Sequence, residues 1–352
     1  CLADHPTVTP SPYWKSQISF LDYGDRFRSF SHGTGGVAWV KFTILMEPYD
    51  ANLVYFQDSR RFTLHYDFAS RYLDPFVGIS SQEFYEKTLS SAAPPAILGT
   101  VLFPPADAGG HAAFNEYGIQ LVRYDPTSPG AAFPKERIRD LFYQVAANVI
   151  APPGLQVLFF PTFEQQGAAD ADRAWFESQG IRVGSVARWA QGNPCYSEGW
   201  ALGRLQYCPS DRILQAYQTH ELEPNDILLT DGVPAEIPVV AGVLSLSPSA
   251  PNSHVAILSR TYFTPFAHLA VQKDADLARS LVGRRILFTA YEDASGVSEV
   301  RLIDTEGRID AALMEDILKL KEVGSLDITP MAPCGAYGVS TDGLSPSDSK
   351  CV

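Results

Sequence analysis

The chain has 352 residues, 45% of them apolar, and a formal net charge of −13. Its length predicts two or three domains, and its apolar share excludes global disorder. The acidic balance, with no run of Lys and Arg, argues against a nucleic-acid partner. No apolar run reaches the ~18–20 residues that span a bilayer.

In chain order, the sequence starts at Cys1 and continues through a polar, Pro-containing stretch, so residues 1–12 are expected to form a tether. A mature chain starting at Cys is what remains when a bacterial lipoprotein signal is cut and that Cys is lipidated. The alternative is a mere cut point in a longer sequence. Residues 13–190 are expected to form an α+β domain. VAWVKFTIL, LVYF and RFTLHYDF read as strands, being β-branched and aromatic with turn residues between them. SSQEFYEKTLSS has helical spacing. AILGTVLF and YGIQLVRY read as strands. KERIRDLFYQVAANVI carries Ile138, Leu141, Phe142, Val145 and Ala146 on the stripe of a half-buried helix. LQVLFFPT reads as a buried strand and AADADRAWFESQG as a helix closed by Gly180. IRVGSVARW reads as a strand.

QGNPCYSEG marks a boundary. Beyond it ALGRLQY, DILLTD and VVAGVLSL read as strands, SHVAILSRTYF as a helix start, and RRILFTAY with VSEVRLID as a hairpin. DAALMEDILKLKEV reads as a helix. The expected divisions are 195–290 for a second domain, 291–330 for a hairpin and helix extension, and 331–352 for a Gly/Ser/Pro-rich tail. The fold class expected is α/β, an α+β domain followed by a β/β/α domain.

Five cysteines are present. Apart from Cys1 they form two sequence-local pairs, Cys195 with Cys208 and Cys334 with Cys351. Paired as disulfides, each closes a short loop worth on the order of 3 kcal/mol. Such bonds fit an oxidising, extracytoplasmic compartment, either the periplasm or the cell surface. Four buried free thiols are the alternative. No Cys-x-x-Cys and no cluster at metal-ligand spacing occurs.

The chemistry-bearing stretch is residues 226–271. A buried strand ends at Ser247, a polar loop follows, and His254 falls in the first turn of a helix with Asn252 and Ser253 as N-cap candidates. Free N–H groups and the positive dipole end at a helix N-terminus stabilise an anion, phosphate above all. His254 is therefore the candidate phosphoryl acceptor. Ser253, Asn252 and Arg260 are the candidate phosphate contacts.

Asp226 to Thr230, Ala241 to Leu244, Ser253-His254-Val255-Ala256-Ile257 and Arg260 together resemble the phosphohistidine swivelling domain of the phosphoenolpyruvate synthase and pyruvate phosphate dikinase family. Gly199-x-Ala201-x-Gly203-Arg204 resembles its opening strand, and Thr264-Pro265 its turn after the helix. RRFTLHYDFA and FFPTFEQQ resemble, more loosely, the leader region of bacterial proteins named for a PEP/pyruvate-binding domain. Two departures stand out. The family's glycine pair is replaced by Pro248 to Asn252, and no ATP-grasp sequence or Gly-rich nucleotide loop is found. The chain is therefore expected to hold no cofactor, since ATP and Mg would come from a partner.

Two functions follow as expectations. One is an exported, lipid-anchored protein that reuses the fold as a non-catalytic binding or assembly module, with another protein and the membrane as partners. The other is a phosphoryl carrier in which a separate ATP-grasp partner phosphorylates His254. HGTGG at residues 32–36 reads as a flexible turn rather than a phosphate cradle. His65-Tyr66-Asp67 can orient a proton, but a hydrogen-bonded strand histidine is the plainer reading. His111, His220 and His268 are isolated, and Asp170, Asp172 and Glu177 read as a solvated helix face.

Overall fold

The computed structural model describes residues 12–19, 29–30, 37–46, 48–49, 53–104, 114–124, 132–189, 192–234, 236–251, 253–292 and 298–321. Cys1, Cys334, Cys351, Asn252, His111 and the 32–36 glycine cluster lie outside them. The contacts divide the chain into two compact units, 1–306 and 307–352. Mixed helices and strands place the fold in the α/β class.

The first half of the larger unit begins with β1 (Trp14–Lys15), β2 (Ile18–Ser19), β3 (Ser29–Phe30), β4 (Ala38–Leu45) and β5 (Val54–Gln57). Helices α1 (His65–Tyr72) and α2 (Ser81–Tyr85) follow, then β6 (Ala96–Phe103) and β7 (Glu116–Val122). Next come α3 (Lys135–Ala146), β8 (Val149–Ile150), β9 (Gln156–Phe159), α4 (Phe163–Ala171), α5 (Arg173–Ser178) and β10 (Arg182–Val183). The sheet order is β1-β5-β4-β6-β7-β9-β10, with β3 on β4 and a separate β2-β8 pair. Strand alternation sends Val40, Phe42, Ile44, Val101 and Ile119 to one face, where Ile138, Leu141, Phe142 and Val145 of α3 cover them. Gly99 lets the Phe42 ring lie flat there, since a Cβ would stand 2.2 Å from Phe42 Cζ.

RFTLHYDF is not a strand. Gln57 Nε2 donates to the carbonyls of Phe62 and Leu64, at 3.0 and 3.2 Å, and turns the chain. The Asp67 carboxylate then accepts the Leu64 N–H at 3.3 Å and starts α1. Phe68 and Ala69 sink into an aromatic cluster with Phe62, Phe76 and Phe84. The aromatic content that suggested a strand serves a helix packed on the sheet. IRVGSVARW is likewise strand only at Arg182–Val183, before a 3-10 turn at Val186–Trp189. Gly180 adopts φ +77° after α5, as a helix-terminating glycine does.

The second half contains β11 (Cys195–Ser197), β12 (Gly199–Tyr207), α6 (Ile213–Gln218), β13 (Ile227–Thr230) and β14 (Gly242–Ser245). It continues with α7 (His254–Thr261), β15 (Phe266–His268), α8 (Gln272–Ser280), β16 (Arg285–Glu292) and β17 (Ser298–Asp304). Its sheet runs β11-β15-β14-β13-β12-β16-β17. The run β15 to β12 is parallel and the remaining pairs are antiparallel. Leu205, Ile227, Leu229 and Phe288 pack with α8 on one face. Leu228, Val243 and Phe266 pack with α6 and α7 on the other. The hairpin β16-β17 is part of this sheet, so the sheet extends past the expected limit at 290 to Asp304.

Cys195 and Cys208 are free thiols, correcting the expected disulfide. They belong to the cores on opposite faces of the sheet. β15, β14 and β13 intervene between β11 and β12, so nearness in sequence does not become nearness in space. Burial pushes the Cys195 thiol up to about 12, which leaves it an inert core group.

The smaller unit holds α9 (Ala311–Lys319), capped by Asp310, whose Oδ1 accepts the Leu313 N–H at 2.8 Å. No helix among the described residues is long and apolar enough to cross a membrane.

Candidate functional site

The face of the first sheet opposite α3 is apolar at both ends and polar in the middle. One end carries the aromatic cluster of α1 and α2, and the other packs Trp39, Leu102, Leu158, Phe160 and Trp189. Between them runs a row across three strands. Lys41 of β4 pairs in register with Thr100 of β6, and Thr100 with Gln120 of β7. Their relative exposures are only 4%, 0% and 7%. Polar side chains side by side on the buried centre of a sheet are costly unless something polar faces them.

What faces them is a cavity of about 1040 Å³ within the larger unit. The row forms part of its lining, with His65 at the start of α1 and Tyr85 at the end of α2. After Tyr85 the helix widens into a π-helical turn, Glu86–Ser90, and Glu86, Leu89 and Ser90 also line the cavity. From the second half come Ser247 to Ala250, Ser253, His254 and Ile257. His254 is solvent-exposed as well, so the cavity reaches the surface there. Its ring lies 6.4 Å from that of Tyr85, tilted by 36°.

Ser253 is the N-cap of α7, its Oγ accepting the Ala256 N–H at 3.2 Å and the Ser249 hydroxyl at 3.0 Å. His254 is therefore the first helical residue, as the sequence suggested. The loop before it is held from below. Ser249 N–H donates to Tyr196 Oη at 2.9 Å. Arg260 donates to the carbonyls of Tyr196 and Pro251, both at 2.8 Å. Arg260 does not line the cavity. It is the seventh of the eight residues of α7, and its guanidinium reaches back under the loop. These two bonds give Arg260 an anchoring role for the loop.

Other residues singled out in the sequence have structural explanations. Arg204 and Asp226 form a two-point ion pair between β12 and β13, at 3.1 and 2.7 Å. Gly203 admits the Asn225 carbonyl, which a Cβ would approach to 2.2 Å. Asp170 and Asp172 pair with Arg173 and Lys135.

The electrostatics set the first wall apart. Desolvation, helped by the Arg260 charge and opposed by Asp67, lowers the Lys41 amine to about 7. Among the described residues no carboxylate lies within ion-pair distance of it. Burial first, then Lys41, lowers His65 to about 3, although its Nε2 meets the Gly99 carbonyl at 3.0 Å. Burial also raises the Tyr85 phenol, with Asp67 adding to the rise. Thr162, on the cavity lining, has a buried hydroxyl with no hydrogen-bond partner. Among the described residues no group of His, Cys, Asp or Glu is arranged to hold a metal.

No protein-family model, curated protein or solved structure matches the chain. The site therefore rests on its own geometry. The sequence marked one wall, Ser253 and His254, and missed the other. The missed signal was polar residues inside apolar strands, above all Lys41 in AWVKFTIL, Thr100 in AILGTVLF and Gln120 in EYGIQLV.

Proposed function

We propose that the chain is a non-catalytic binding module that holds a small anionic molecule in the cavity between its two sheets. The observation that carries this reading is the buried Lys41–Thr100–Gln120 row facing the N-terminus of α7 across a space of about 1040 Å³. A pocket of this size takes a ligand as large as a drug or a nucleotide. The row offers an amine, a hydroxyl and an amide, and the helix start offers backbone donors and a positive dipole end. Arg123 adds a guanidinium to the lining. An anion would draw a proton onto Lys41, because a neighbouring negative charge favours the charged amine.

Titration calorimetry with inorganic phosphate and a set of phosphorylated and carboxylated metabolites tests the reading. Binding with proton uptake, lost in Lys41→Met and Gln120→Leu, is the expected result. Saturable binding that both variants retain, or no binding by any compound, overturns it.

A second reading has its own support. His254 is the first residue of a capped helix and lines the same cavity, the placement a phosphoryl-accepting imidazole needs if a separate ATP-grasp partner supplies the group. The resemblance to the swivelling phosphohistidine domain points the same way. An acid-labile phosphate on the native protein, absent from His254→Ala, would establish it, and none on protein purified at alkaline pH would remove it.

A further inference from the structure

We infer that the Lys41 ε-amine is a carbonyl-reactive group, forming a reversible imine with an aldehyde or ketone ligand held in the cavity. The inference rests on the cavity being a ligand site. Lys41 is 4% exposed and stands mid-strand on the cavity lining. Its strand neighbours in the row, Thr100 and Gln120, carry no charge. Two charges bear on its state, Asp67 from α1 and Arg260 from α7, and the amine in turn lowers the neighbouring His65 of α1. Asp67 favours the ammonium, but its carboxylate is engaged with the Leu64 N–H at the start of α1. Arg260 and the burial itself oppose it. With the cavity empty, a lysine near 7 has its nitrogen lone pair free in about half of the molecules at neutral pH, a share that nucleophilic lysines reach in the same way.

The chemistry balances without an added oxidant or reductant. The Nζ lone pair attacks the carbonyl carbon, and a proton passes from nitrogen to oxygen to give a carbinolamine. The carbon–oxygen bond then breaks, the hydroxyl leaves with a proton as water, and a C=N bond remains. The hydroxyl of Thr100 and the amide of Gln120 occupy the same row as the amine.

The experiment uses the intact chain at neutral pH with glyoxylate as probe and cyanoborohydride to fix any imine as a secondary amine, located by peptide mapping. The neutral fraction of an amine near 7 exceeds that of a surface lysine by about three orders of magnitude at neutral pH. Lower intrinsic nucleophilicity takes back part of that advantage, so Lys41 should be modified at least about ten-fold faster than any other lysine. Lys41→Arg should lose that fast adduct while keeping a cooperative melt. Modification spread evenly over the lysines, or none at Lys41, overturns the inference. Calorimetry with glycolate, an anion of similar size without a carbonyl, reports separately on the cavity. Glycolate binding without a Lys41 adduct sinks the imine and leaves the binding module standing. A Lys41 adduct that glycolate cannot suppress supports the imine and counts against recognition of anions.

Discussion

The two faces of the first sheet are made by alternate residues of the same strands, yet they serve opposite ends. On one, Val40, Phe42 and Ile44 meet α3 in a continuous apolar core. On the other, Lys41, between Val40 and Phe42, opens the middle of the face to a cavity. Burial of apolar area stabilises the first, at roughly 25 cal/mol per Å². The second gives up such packing along three strands. A one-residue step along β4 thus separates a residue whose burial holds the fold together from one whose burial works against it.

Substitutions at adjacent positions should break that contrast or sharpen it. The largest effect is expected for Phe42→Ala. The ring is fully buried against Gly99 and Phe56, and its removal should cost about 3–5 kcal/mol in denaturant unfolding. A loss under about 1 kcal/mol would mean that the α3 face is not the structural one.

The next effect is acid sensitivity on the cavity side. His65 titrates near 6.5 when unfolded and about 3 when folded. The unfolded chain therefore binds more protons between these values, and stability falls as pH drops from about 6.5 toward 3. His268, lowered to about 4 mainly by burial, adds a similar contribution from the second sheet. Together the two should remove a few kcal/mol, about 3 or more, across that window. His65→Gln should flatten the slope, and an unchanged slope would place the acid sensitivity elsewhere.

The smallest effect has the opposite sign. Lys41→Met fills the same volume without a desolvated amine, and should raise stability at pH 7 by about 1–2 kcal/mol. Lys41 falls from 10.5 unfolded to about 7 folded, so the wild-type chain should itself gain stability as pH rises from about 7 to 10.5. The variant should lack that gain. A Lys41→Met chain less stable than the wild type would show that the amine is structural.

Features set by neighbouring residues were legible in the sequence. The capped start of α7 was legible because Ser253 and His254 are neighbours and the N-cap acts within one turn. The amphipathic stripe of α3 and the hairpin of β16 and β17 were legible for the same reason. What was not legible depends on pairing at a distance. Lys41, Thr100 and Gln120 become a row only when β4, β6 and β7 align in register. Cys195 and Cys208 are close in sequence but end on opposite faces of a sheet. RFTLHYDF has strand composition, and its helix depends on Gln57 turning the chain from a neighbouring strand. The anchoring of the Ser249 loop by Arg260 depends on Tyr196, some sixty residues earlier in the chain.

The edge strand β11 sets an order of assembly. Cys195 pairs with Ala267, on the order of 70 residues further along, and the Tyr196 groups that hold the Ser249 loop and Arg260 arrive with that pairing. Distant pairings close late, because their loop entropy is lost before their contacts form. The helix start bearing His254 is therefore anchored only once that pairing has formed. In a refolding time course, its ability to take a ligand should return after the helical signal of the chain has already recovered.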